Sequence, residues 1–230
     1  MKKSVVLMAL TLAISLVAGV AHAEFTPKFS VALDNTKVGG NPAMTFHLEF
    51  DAEDDEIGLF TGYIPKGFTI ATDEEIPAVM IGPREQGEKI GEGIVSIRGG
   101  FDCRPGPEGA IPVGAQGTVP ATFYERTRTD EEIDAGVVAV WFLDLEPVSR
   151  VRLVVTGSPL TGYTVSGAPT PSDNTCNPLT ADLTINAQSE SGVPIVTNPT
   201  KAGKKKFMAD ITSQSSPDVA HFEQFIVITK

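Results

Sequence analysis

The residues best equipped for chemistry form a short acidic run, Asp51-Ala-Glu53-Asp54-Asp55-Glu56, between two stretches of alternating apolar character. Calcium takes six to eight oxygen ligands, and a turn between strands can gather carboxylates and carbonyls around it. Asp51, Glu53, Asp54 and Asp55 are therefore candidate calcium ligands. Two further acidic clusters, Asp73-Glu74-Glu75 and Asp130-Glu131-Glu132, would add oxygens if folding brought them near. The run departs from an EF-hand loop: Glu53 stands at the second ligand position, and no glycine occupies the sixth position. Its other reading is a solvated turn whose charges keep strand edges from pairing with neighbouring molecules.

Nucleophilic and metal chemistry have little to work with. Gly-x-Ser-x-Gly, His-Glu-x-x-His and Ser-x-x-Lys are all absent from the chain. Of the three histidines, His22 falls in the leader described below, leaving His47 on the polar face of a strand and His221 in a turn before the last strand. Zinc would need more imidazoles, or the two thiols that export favours pairing. A hydrolase built on two carboxylates remains open, because 29 acidic residues supply many pairs. Carbohydrate recognition relies on flat aromatic rings. The one tryptophan, Trp141, sits in the densest apolar run and reads as core, while Tyr63, Tyr124 and Tyr163 are the exposed candidates. Lys201, Lys204, Lys205 and Lys206 form the one basic patch, either guarding an edge strand or docking an anionic polymer.

The elements that must position these residues begin after a leader. Met1-Lys2-Lys3, an apolar run from Val5 to Val20 and the ending Ala21-His22-Ala23 are the three parts of a cleavable secretory signal, with cleavage after Ala23. Cleavage leaves 16 Lys and Arg against 29 Asp and Glu, a net charge of −13. That sign disfavours nucleic acid and anionic lipid as partners. The expected location is secreted or periplasmic, without membrane insertion of the mature chain. Cys103 and Cys176 are the only cysteines, and in an exported chain they are most simply joined in a disulfide.

Past the leader the apolar period is two. Met44, Phe46, Leu48 and Phe50 alternate with Thr45, His47 and Glu49, the clearest half-buried strand. Further strands are expected over Phe29–Leu33, Ile57–Ile64, Ile90–Arg98, Thr118–Tyr124, Leu179–Ile185, Val193–Thr197, Phe207–Thr212 and Phe222–Thr229, with a weak one near Tyr163–Val165. Gly136 to Gly157 reads as a core hairpin around Trp141. A short helix is expected near Asp73–Val79. No stretch of a dozen residues carries an apolar stripe of helical period. The prediction is an all-β, antiparallel sandwich with Greek-key connections, in one domain over residues 24–230; a β-barrel or two small sandwiches are the alternatives.

Phe29-Ser-Val-Ala-Leu33, Val38-Gly-Gly-Asn-Pro42, Ile64-Pro-Lys-Gly-Phe68 and Gly192-Val-Pro-Ile-Val-Thr-Asn-Pro-Thr200 together resemble segments of a family of uncharacterised exported bacterial β-rich domains. Those relatives often carry a cysteine just after Asn-Pro-Thr, where this chain has Lys201-Ala202-Gly203. The family has no established activity, so the resemblance implies fold and export and brings no catalytic residues.

The function expected first is that of a secreted, non-catalytic protein in adhesion or assembly at or outside the cell surface, with a protein or a cell-surface polymer as partner. Its last strand would be an edge for β-augmentation. A carbohydrate or small-ligand binding module, with or without calcium, is the alternative; a two-carboxylate hydrolase comes third. No cofactor other than calcium is implied.

Overall fold

A computed structural model describes residues 25–51, 57–76, 87–99, 111–145, 149–168, 176–214 and 216–230. The signal segment, Glu53, Asp54, Asp55 and Cys103 lie outside these residues. So do residues 77–79 of the helix expected after Asp73.

The regular structure of the described chain is almost wholly strand. In order it forms β1 (Lys28–Leu33), β2 (Met44–Glu49), β3 (Ile57–Ile64), β4 (Thr69–Ile70), β5 (Lys89–Gly99) and β6 (Gln116–Arg126), then one short helix, α1 (Asp130–Asp134). After it come β7 (Val137–Leu145), β8 (Ser149–Ser158), β9 (Gly162–Gly167), β10 (Cys176–Ile185), β11 (Val196–Thr197), β12 (Gly203–Ser213) and β13 (Val219–Ile228). All-β structure with antiparallel pairing is what the alternation predicts. The central hairpin is there as β7 and β8, paired from Val137–Thr156 to Leu145–Ser149.

The strands do not divide into two facing sheets. Eleven of them make one sheet in the order β1-β2-β10-β5-β6-β7-β8-β9-β3-β12-β13, and it curls until its two edges meet, so the architecture is the barrel alternative. Period-two alternation says which face of a strand is buried and not whether the opposing face belongs to another sheet or to the far wall of the same one.

Every pairing between neighbours is antiparallel, and the number of strands is odd, so β1 and β13 must run in the same direction where the barrel closes. Near the chain's end that seam has ordinary backbone bonds, with Thr229 N–H donating to Thr36 O at 2.8 Å and Val38 N–H to Thr229 O at 2.9 Å. Higher up, a side chain takes over. Val31 N–H donates to Gln224 Oε1, and Gln224 Nε2 donates to Val31 O, each at 2.8 Å.

One end of the barrel is closed by chain. The described parts of the connections from β3 to β5 and from β10 to β12 lie there, pairing β4 with β11 and burying Phe68, Ile70, Ile76, Ile195 and Val196. The three turn motifs read from the sequence meet here. Asn198 N–H donates to Gly40 O at 2.8 Å, Gly39 N–H to Pro199 O at 3.1 Å, and Thr197 Oγ1 to Asn41 Oδ1 at 3.1 Å. The Asn198 side chain, 2% exposed, donates to the carbonyls of Asn35 and Lys37. Gly67 turns the chain at φ +97°, and a Cβ there would stand 3.1 Å from Pro199 Cβ. That is the change of direction expected of Pro-x-Gly.

The helix falls elsewhere than expected. Residues Asp73–Ile76 make a single turn, whereas Asp130–Asp134, which holds one of the acidic clusters, forms α1. Thr129 caps it: its Oγ1 accepts from Glu132 N–H while the Glu132 carboxylate accepts from Thr129 N–H.

Candidate functional site

Alternation aims Phe29, Val31 and Leu33 of β1, Met44, Phe46 and Leu48 of β2, and Ala181, Leu183 and Ile185 of β10 into the barrel. The outward rows are polar. Thr45 faces Thr184 with hydroxyls 3.0 Å apart, and His47 Nδ1 lies 2.6 Å from Asp182 Oδ1. On these three strands the inward row is apolar and the outward row polar, while elsewhere the outer face also carries exposed Leu59, Ile94, Phe225 and Val227. Among the described residues, no helix is long and apolar enough to cross a membrane.

Side chains from about eight strands just fill a barrel, and wider ones leave room. Here eleven strands enclose a cavity of about 250 Å³. Its walls are almost entirely hydrocarbon, among them Phe46, Leu48, Ile97, Leu145 and Leu183. Phe29 is the hub of one side: its ring centroid lies 6.2 Å from Phe46, 5.8 Å from Phe60 and 5.9 Å from Phe222. These contacts join β1, β2, β3 and β13 across the seam region. Toward the closed end the lining reaches Ile185, Val196 and Phe207, and one wall is Trp141.

A polar group is buried beside that wall. Glu125 follows Val119, Ala121 and Phe123 in the inward row of β6 and stands opposite Trp141 of β7. It is 0% exposed. Burial, reinforced by the nearby charge of Asp73, pushes its carboxyl up to about 9, against the opposing pull of the Trp141 N–H, Arg128 and Arg126. At neutral pH the group is a carboxylic acid. Among the described residues neither its oxygens nor Trp141 Nε1 makes a hydrogen bond of ordinary geometry, although the indole lies beside the carboxyl.

Among the described residues, no three acidic, histidine or cysteine side chains are gathered where a metal ion could be held. Asp51 follows β2 at the end of the barrel opposite the plug, whereas Asp73 belongs to the plug itself. Asp73 is committed to Arg128, accepting from its backbone N–H and its Nε at 2.7 Å each, with both side chains less than a tenth exposed. Glu132 pairs with Arg126 and Arg152 on the outer face of β6 and β8. Burial pushes its carboxyl up, but the Thr129 N–H and the two guanidinium groups hold it below the ordinary value. With Glu53, Asp54 and Asp55 outside the described residues, the acidic turn stands as an expectation.

The aromatic and basic candidates also sort out. Tyr163, expected to be exposed, is 4% exposed, and its hydroxyl accepts from Ile70 N–H of the plug. Tyr63 faces outward and donates to Asp210 Oδ2 at 3.1 Å. That bond to a carboxylate, with some burial, holds its phenol above the ordinary value. Trp141 is core, as expected, at 3% exposure. His221 lies within β13 rather than in a turn before it, 2.7 Å from Asp210 Oδ1. The lysines at 204 to 206 begin β12, an interior strand of the sheet: Lys206 pairs with Glu223, and Lys204 stacks on the Phe225 ring.

Sequence reading missed Gln224 and Glu125, and each had a signal. Both are polar residues at the inward parity of an otherwise apolar row: Phe222, Gln224, Ile226 and Ile228 on β13, and Ala121, Phe123 and Glu125 on β6.

No protein-family model matches the chain, and no curated protein is similar to it in sequence. The functional reading therefore rests on the geometry.

Proposed function

We propose that the chain is an exported, non-catalytic binding protein that holds a small apolar molecule inside its barrel. The cavity carries this reading. An engineered apolar cavity of about 150 Å³ stays dry and takes up benzene. One of about 250 Å³ with a hydrocarbon lining has room for a larger guest, near the small end of ordinary ligand pockets. A charged outer wall suits a protein that carries such a guest through water. The leader and the likeness to exported β-rich domains are consistent with work outside the cytoplasm, secreted or periplasmic.

The adhesion reading loses one support. β-Augmentation needs a free edge, and here the edge of β13 faces β1, with the Gln224 amide and Thr229 already bonded across it.

Trp141 is the only tryptophan and lines the cavity, so its emission reports on occupancy. Mature protein, residues 24–230, titrated with 1-aminoanthracene should show saturable probe enhancement with loss of Trp141 emission at one site per chain. Ala181→Phe, which fills part of the cavity, should weaken binding by about tenfold, or 1.4 kcal/mol. Absence of saturable binding to the wild type would sink the reading.

A further inference from the structure

The plugged end carries a concentration of positive charge that the acidic composition of the chain conceals. Lys204, Lys205 and Lys206 at the start of β12 pair with Val227, Ile226 and Phe225 of β13. Lys230 follows Thr229, which bridges Lys37, and Lys205 Nζ donates to Lys66 O at 3.3 Å. Lys201 stands two residues after Pro199, whose carbonyl accepts from Gly39 N–H. Seven of the nine lysines past the leader thus share one arc of rim, and all but Lys205 are exposed. The segments that bring them there, 35–41, 65–68, 198–206 and 225–230, contain no aspartate or glutamate. Among the described residues only Lys206 of the seven has a carboxylate partner, Glu223. Acidic residues of the same end, Glu74 and those of α1 among them, lie beside β6 and β7, across β8, β9 and β3 from β12. Guarding an edge strand does not explain the cluster, because β12 is interior, between β3 and β13. Apolar side chains stand exposed on the same arc. Phe225 and Val227 are 50% and 57% exposed, and Lys204 Nζ lies 3.9 Å from the Phe225 ring centroid. Leu160, 87% exposed, tips the β8–β9 turn, which is tied to the Lys66 segment by Gly67 N–H donating to Pro159 O at 2.7 Å.

We infer that this lysine-rich arc is a peripheral docking face for an anionic phospholipid bilayer, with the lysines on head-group phosphates and Leu160, Phe225 and Val227 at the interface. Like charges gathered on one face repel, and an anionic surface relieves them. A soluble polyanion would answer the charge alone. Exposed apolar side chains gain only where water is also excluded, as at the boundary between head groups and acyl chains. The net charge of −13 disfavours anionic lipid for the chain as a whole, but screening makes the contact local. The Debye length is about 8 Å at physiological salt, and the eleven residues of β12 span on the order of 36 Å, so carboxylates of the far rim lie several screening lengths away. The docking face does not depend on what the cavity holds.

The experiment is co-sedimentation of the mature protein with vesicles of phosphatidylcholine, alone or with about one third phosphatidylglycerol, at about 0.1 M and about 0.5 M salt. Binding is expected to the anionic vesicles only, and at the lower salt only. A lysine near an anionic surface contributes about fivefold in affinity, so the triple variant Lys201→Gln, Lys204→Gln, Lys230→Gln should bind about a hundredfold more weakly. Lys28→Gln with Lys89→Gln, outside the arc, should leave binding within about twofold. Leu160→Asn keeps the charge and alters a side chain that the fold does not bury; it should cost about tenfold on vesicles and nothing on heparin. Equal binding to neutral and anionic vesicles, or unchanged binding by the triple variant, would overturn the proposal. So would heparin binding without vesicle binding, which would assign the arc to a soluble polyanion. Elution that moves with protein concentration while vesicles go unbound would assign it instead to a second copy and equally end the bilayer reading.

Discussion

Gln224 closes the barrel on Val31 with its side chain standing in for a strand: its amide oxygen accepts from Val31 N–H, and its amide nitrogen donates to Val31 O. A primary amide carries the same donor and acceptor as a peptide group, so it can complete a ladder where two parallel edges do not come into register. Val31 is 2% exposed, and the bonds cannot be replaced by bulk water. Gln224→Leu keeps the volume and removes both partners. Each orphaned buried group costs about 1–3 kcal/mol, so a loss of about 2–4 kcal/mol is expected in urea denaturation followed by Trp141 emission. Amide exchange at Val31 should accelerate by more than the global loss of stability explains. An unchanged midpoint with normal protection at Val31 would mean that the seam is held elsewhere.

Asn198 does the corresponding work at the plug. Its side-chain nitrogen donates to Asn35 O and Lys37 O, at 2.8 and 2.9 Å, tying the Asn-Pro-Thr turn to the segment that leads into Gly-Gly-Asn-Pro. Aspartate has nearly the same shape and no donor, and it would set a charge against two carbonyls. Asn198→Asp should therefore destabilise more than Asn198→Ala, both by about 2 kcal/mol or more, in thermal melts. The reverse ranking would show that the amide's size matters and its bonds do not.

How far the sequence discloses this protein depends on whether a feature is local. Strand positions follow from period-two alternation that any single strand displays, as Met44 to Phe50 does. The three glycine- and proline-containing segments are legible as turns for the same reason. Their meeting at one end is not, because Gly40 and Asn198 are joined only through the sheet order. Barrel and sandwich share one inward pattern, so the choice between them waits on the seam. The cavity is least legible of all: it is space left over by the strand number, and no residue encodes it. Glu125 and Gln224 are intermediate, since their parity marks them once strand limits are known.

We propose a disulfide between Cys103 and Cys176, with Cys103 itself outside the described residues. The backbone of Cys176 starts β10 opposite Gly99, the last residue of β5, and Cys103 follows Gly99 by four positions. Four residues extended reach on the order of 13 Å, more than enough to turn back toward a neighbouring strand. Intact mass after alkylation of exported, unreduced protein should show no modified thiol, and reductant should expose two. Two alkylated cysteines without reductant would end the proposal.

Glu125 also sets a pH dependence. Its ordinary value is 4.5, and in the fold it rises to about 9 through burial and Asp73, with Trp141, Arg128 and Arg126 working in the other direction. Between those limits the folded protein keeps a proton that the unfolded chain gives up. Stability from this group is thus complete below about pH 4.5 and is lost as pH rises toward about 9, with a slope approaching 1.4 kcal/mol per pH unit in between. Glu125→Gln cannot lose a proton. Relative to wild type it should become progressively more stable from about pH 5 to pH 9, and the two stability curves should converge in acid. Urea midpoints at pH 5, 7 and 8.5 measure the divergence directly. Parallel curves would mean that the carboxyl is ionised in the folded state at neutral pH.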